Sequence, residues 1–181
     1  MSKNFPGFLL VGALFLLLAG CCGCNRTNWP ASPALGHMEV SQKLAYMDNV
    51  RQTLTVFRTS LHDIEQHTPE ISPEEEPVCD ENQFSCEVYK YVEVYAMPII
   101  MDEGARTNLQ TRREVAQINL LSAYAFYQIQ QYRKARSLVQ LFENQYGEDP
   151  SILNSPVDSG DMGYSTFGEG LRLLKRKLVV G

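Results

Sequence analysis

The sequence predicts an all-α chain: a small helical bundle with a helix hairpin, preceded by a cleaved signal and a flexible tether. Three observations predict it. Between Met38 and His67, apolar residues recur in steps of three and four, with no Pro or Gly. Thr111-Arg112-Arg113-Glu114 has the form of a capping box, and apolar residues at helical spacing follow it. Leu171, Leu174 and Leu178 share one face of a closing segment, whose Lys175, Arg176 and Lys177 suit the negative end of a helix dipole.

The chain opens with Lys3, then an apolar run from Phe5 to Leu18 interrupted by Pro6, Gly7 and Gly12. A positive start, an apolar run and small residues at its end form a secretory signal. The run is shorter than the roughly 20 residues a spanning helix needs. Its end, Leu18-Ala19-Gly20-Cys21, resembles the lipobox of bacterial lipoproteins. The resemblance implies cleavage before Cys21, which would carry a thioether-linked diacylglycerol and an N-acyl chain. Several acyl chains anchor stably where one binds only marginally. In Gram-negative members the next residue influences sorting, and Asp there favours the inner membrane. Cys22 in that place implies a lipid anchor in the outer membrane, facing the periplasm, for a Gram-negative host. The other reading is an ordinary secretory signal with a stray Cys. The expected division is residues 1–20 as signal, 21–37 as acylated tether and 38–181 as helical domain. The tether rests on Asn25, Asn28, Pro30, Ser32, Pro33 and Gly36.

Loss of residues 1–20 would remove Lys3 and no acid, so the formal charge moves from −5 to −6. An acidic chain lacks the basic footprint of a nucleic-acid binder. About 160 residues suffice for one domain with a real core. An exported chain meets an oxidising compartment where disulfides persist. Cys79 and Cys86 flank one short polar loop and are the favoured pair. With Cys22 and Cys24 included, four cysteines still allow three pairings. Neither spacing suits a four-Cys zinc site.

The long helix expected over 38–67 has a seam at Val40, Leu44, Met47, Val50, Leu54, Phe57, Leu61 and Ile64. Residues 68–85 hold Pro69, Pro73 and Pro77 around Glu74-Glu75-Glu76 and read as an acidic loop. Val88, Tyr91, Val92, Tyr95 and Ile99 have helical spacing, although these residue types also favour strands. A helix from about Cys86 to Met97, which Pro98 would kink or end, is the favoured reading, with a turn at Asp102-Glu103-Gly104. Thr111 caps the next helix, which could begin nearer Thr107 and runs to Gln131. Another follows from Tyr132 or Arg133 to Tyr146, with Gly147 as its stop. Residues 148–164 read as loop, and the last helix covers Glu169 to Val180.

Ala125 to Ala135, with Phe126, Tyr132 and Ala135 as its key residues, resembles the turn of a tetratricopeptide repeat. Ala123 and Ala135 would let the two helices approach, while Phe126 and Tyr132 fill the hairpin. Phe142, Tyr146 and Pro150 extend the likeness to the repeats found in the outer-membrane lipoprotein of the barrel-assembly machinery. Gly147, Asn119 and Ser122 depart from that pattern. The likeness covers about 35 residues, one repeat, whereas an array needs about three. A tightly packed helix pair of another kind fits as well.

For chemistry, His62 and His67 are five apart and point to different faces, and Asp63 with His67 lacks a third ligand. No phosphate loop, nucleophile elbow or Cys-His pair with an obvious orienter is evident. Asp158 to Asp161 reads as turn chemistry. The expectation is therefore no catalytic residues, no metal and no cofactor. Tyr89, Tyr91, Tyr95, Tyr124, Phe126, Tyr127 and Tyr132 crowd mid-chain, and Tyr124, Phe126, Tyr127 and Tyr132 are the candidate binding residues. The expected role is a non-enzymatic adaptor or assembly factor that contacts the membrane through its lipid and binds another envelope protein. The alternatives are a structural link between membrane and cell wall, or a small metal-binding envelope enzyme using Asp63 and His67.

Overall fold

The computed structural model describes residues 35–65, 84–157 and 164–180. Contacts divide the chain after Pro30, and Ala31–Gly181 forms one compact unit. The described residues are all-α. The helices are α1 Val40–Glu65, α2 over 84–101, α3 Leu109–Gln128, α4 Tyr132–Tyr146, α5 Pro150–Leu153 and α6 Phe167–Val180. Among these residues the only β pairing is an isolated bridge between Pro156 and Thr166.

Helix α3 is the axis of the bundle. It packs on α1 and α4 most extensively and also meets α2 and α6. Every residue from 115 to 126 is buried. A helix surrounded by others loses its one-sided apolar stripe. That explains why Ala116 and Leu120 join Val115, Ile118, Leu121, Ala123 and Ala125 in the core. Burial also takes in Gln117, Asn119 and Ser122. Among the described residues, Gln117 Nε2, both side-chain polar atoms of Asn119 and Ser122 Oγ have no hydrogen-bond partner. Each such atom is an energetic burden.

On α1, Met47, Val50, Leu54 and Leu61 are buried as the seam predicts, but Val40 is exposed. Lys43, a polar position in the sequence pattern, is buried, and its Nζ donates to the Gly104 carbonyl at 2.9 Å. The folded unit also begins earlier than the expected boundary at residue 38. Leu35 is 2 % exposed and starts a 3-10 turn, Leu35–His37, that packs on the turn Glu103–Ala105.

Pro98 does not end α2. The helix runs as Phe84–Tyr91, a π turn Val92–Ala96, and Met97–Met101. The Met97 N–H donates to the Val92 carbonyl, five residues back. The wider turn resets the register, so Pro98 falls in the first turn of the following segment, where a missing N–H is tolerated. The Thr111–Glu114 box is also corrected. Asn108 is the N-cap: its Oδ1 accepts from Thr111 N–H at 3.0 Å, and Thr111 Oγ1 accepts from Asn108 N–H at 3.2 Å. Glu114 instead faces Arg51 of α1 at 3.6 Å. Within the expected loop 148–164, Asp149 caps the short α5 by accepting from Ser151 N–H at 2.9 Å, and it pairs with Arg112 of α3. Its carboxyl is held below the usual range, first by the Ser151 hydroxyl.

Helix α3 ends at Gln128, not Gln131, in a Schellman motif. Gln131 N–H donates to the Phe126 carbonyl at 2.8 Å and Gln130 N–H to that of Tyr127 at 3.0 Å. The motif requires a left-handed residue, and Gln130 supplies it with φ 63°. A side chain there is strained by roughly 1–2 kcal/mol. Gln130→Gly is therefore expected to raise the melting temperature slightly, since relief of strain outweighs the entropy of one more glycine. A lower melting temperature by calorimetry would show that Gln130's side chain contributes more than its backbone strain removes. Gly147, by contrast, caps α4 in a right-handed conformation, φ −59°, so no left-handed cap operates there.

Candidate functional site

The aromatic residues singled out from the sequence fall on two sides of α3. Phe126 turns toward α2 and α4. Its ring lies 5.7 Å from that of Tyr89, and Lys134 Nζ stands 4.9 Å above Tyr89 and 5.7 Å from Phe126. Lys134 also bridges to Glu93 of α2 at 2.5 Å. Partial burial alone would lower the Lys134 pKa. The hydrogen bonds to Glu93 and Tyr89, and their charges, outweigh it and the net shift is upward.

Beside this pair opens a groove of about 710 Å³ between α2 and α4. Met97 and Met101 line one wall, Leu138 and Leu141 the other, with Phe126 between them. Glu93, Lys134, Gln140 and Asn144 add polar edges. Met101 is 59 % exposed. An apolar floor with a polar rim can take apolar side chains of a partner segment and fix its register at the edges. Thioether side chains adapt to different partners.

Tyr124, Tyr127 and Tyr132 form a second cluster near α6. Ring centroids are 6.0 Å apart for Tyr124–Tyr127 and 5.8 Å for Tyr127–Tyr132. Lys177 Nζ lies 5.1 Å from the centre of the Tyr127 ring, and the guanidinium carbon of Arg58 lies 4.9 Å from the centre of the Tyr124 ring. Tyr124 is buried, while Tyr127 and Tyr132 are half-buried. The four residues thus do not form one site: Phe126 lines the groove and the three tyrosines pack with cations elsewhere. A third aromatic cluster joins α1 to α2, where Phe57 meets Tyr91 edge-on at 5.2 Å. Burial pushes the Tyr91 hydroxyl up to about 12, against the opposing hydrogen bond from Thr53.

The groove residues Met97, Met101, Glu93 and Lys134 were not candidates from the sequence. Met97 and Met101 share a face at helical spacing, which was a usable signal. The Glu93–Lys134 pair spans 41 residues and had none. Of the covalent candidates, Cys21 and Cys79 lie outside the described residues. Cys86 is buried and disulfide-bonded. The other four cysteines, Cys79 among them, lie outside the described residues. His67 and Asp158 to Asp161 also lie outside them, and the side chains of His62 and Asp63 are not described. Among the described residues, no group of three or more His, Cys, Asp or Glu could hold a metal ion, and no helix is long and apolar enough to cross a membrane. Comparison with protein-family models, curated proteins and solved structures gives no match.

Proposed function

We propose that this chain is a membrane-anchored lipoprotein, acylated at Cys21 and facing the periplasm, that binds another envelope protein as an adaptor or assembly factor. The observation that carries the binding role is the groove between α2 and α4. Its volume of about 710 Å³ accommodates several side chains of one partner helix or extended segment. The repeat-like α3–α4 hairpin supplies a rigid wall, with Ala123 and Ala135 buried along it. The lipobox at Leu18 to Cys21 supports the anchor.

Cross-linking in intact envelopes tests the reading. Met101→Glu puts a charge in the groove at an exposed position, so the fold should survive. The variant is expected to lose its cross-linked partner while keeping its melting temperature and its fatty-acid label at Cys21. Val56→Glu, an equally exposed position on α1, is expected to keep the partner. The groove reading fails if Met101→Glu retains the partner, or if both variants lose it. Cys21→Ser is expected to abolish the label, and a labelled Cys21→Ser chain would remove the lipoprotein part.

A further inference from the structure

Charge is distributed unevenly over this acidic chain. It has 16 Lys and Arg against 21 Asp and Glu. Helices α4 and α6 together carry seven of those cations and only two of the acids, Glu143 and Glu169. The two helices pack against each other, so their charges combine. Arg136 Nη2 donates to the Leu178 carbonyl at 3.2 Å, and Lys175 pairs with Glu143 at 2.5 Å. Arg133 on α4, and Arg172, Lys175 and Arg176 on α6, are all exposed, and Arg136, also exposed, stands where this face meets the edge of the groove. Val179 follows Arg176 by three positions on that helix and is 85 % exposed.

We infer that this α4–α6 face docks on an anionic phospholipid surface. Three features favour a membrane over an acidic protein segment. The cations stand on exposed helix faces and are spread over two helices, which suits a field of headgroups. An exposed apolar side chain beside cations can enter the interface while they hold the phosphates. Finally, the choice of lipid rests on the Cys21 anchor reading. From Cys21 to Leu35 the chain can reach at most about 50 Å. A folded unit of this length has a radius of gyration of roughly 15 Å. Any of its faces can therefore touch the bilayer, and charge selects which one does. The acyl chains hold the unit at the bilayer, and a basic face then fixes which side of it lies against the headgroups.

The test uses the chain from residue 22, which lacks the acylation site and contains the whole compact unit. Sedimentation with phosphatidylglycerol-containing vesicles is compared with pure phosphatidylcholine vesicles. Binding is expected only to the anionic vesicles, and it should fall steeply as salt rises. Arg172→Glu/Arg176→Glu is expected to weaken it at least about tenfold with an unchanged melting temperature. Equal binding to both vesicle types, or a double variant that binds like the parent, would overturn the inference. So would tighter binding to soluble polyglutamate than to the vesicles, which would make the partner an acidic protein. Because the assay omits the acyl group, it reads this face alone. Fatty-acid labelling of Cys21 in cells reads the anchor, so the two can fail separately.

Discussion

Gly170→Ala is expected to lower the melting temperature, although alanine is the better helix former. In an exposed helix interior this exchange gains about 1 kcal/mol. Here a Cβ on Gly170 would sit 2.3 Å from Tyr164 Cε2 and 2.4 Å from its Cζ. No real contact is that short, so the ring has to move. Tyr164 is a buried member of the core, and burial drives its hydroxyl pKa upward. Forcing a packed side chain off its position typically costs about 1–3 kcal/mol, and expelling the ring costs more. The clash therefore outweighs the propensity gain. For a chain of this size each kcal/mol corresponds to roughly 2–4 °C. A double-mutant cycle checks the cause. In a Tyr164→Ala background the ring is gone, and Gly170→Ala should then stabilise by about 1 kcal/mol. If Gly170→Ala destabilises equally in both backgrounds, the contact with Tyr164 is not the reason.

Local signals made the helices legible. The seam Met47, Val50, Leu54 and Leu61, the start of α4 at Tyr132 and the apolar face of α6 could all be read, because those helices bury one face and expose the other. Three features resisted for physical reasons. The burial of Gln117, Asn119 and Ser122 follows from α3 being surrounded, a tertiary fact with no periodic trace. The passage of α2 through Pro98 depends on a π turn, whose cost is met by packing rather than by local propensity. Asn108 displaced Thr111 as N-cap because Thr111 serves equally well as the reciprocal third residue. The site was less legible than the fold. Sequence proximity grouped Tyr124, Phe126, Tyr127 and Tyr132, but residues two apart on a helix point to different faces, so Phe126 parts from Tyr124. The groove itself is formed by α2 against α4, and only their packing brings Met97 and Met101 opposite Leu138 and Leu141.

Ala135→Leu carries the second large effect and bears on the hairpin directly. Ala135 is wholly buried in the first turn of α4, where its N–H donates to the Gln131 carbonyl at 3.0 Å. Helices α3 and α4 meet closely there, and Ala123 on α3 is equally buried. Ala135 is fully enclosed by its neighbours, so three added carbon atoms press on them and push the helices apart. Overpacking of this kind costs about 1–3 kcal/mol. The neighbouring Lys134 is not a neutral comparison, since it bridges to Glu93 and lies over Tyr89. Ser137 is exposed two positions further on and makes a better one, its Oγ bonding only to the Arg133 carbonyl of its own helix at 2.9 Å. Ala135→Leu should thus lower the melting temperature by several degrees, while Ser137→Leu leaves it nearly unchanged. Because α4 forms one wall of the groove, the Ala135 variant should also lose the cross-linked partner that Val56→Glu keeps. Equal melting temperatures for the Ala135 and Ser137 variants would mean that the α3–α4 contact tolerates extra volume. The rigid wall on which the binding proposal depends would then be absent.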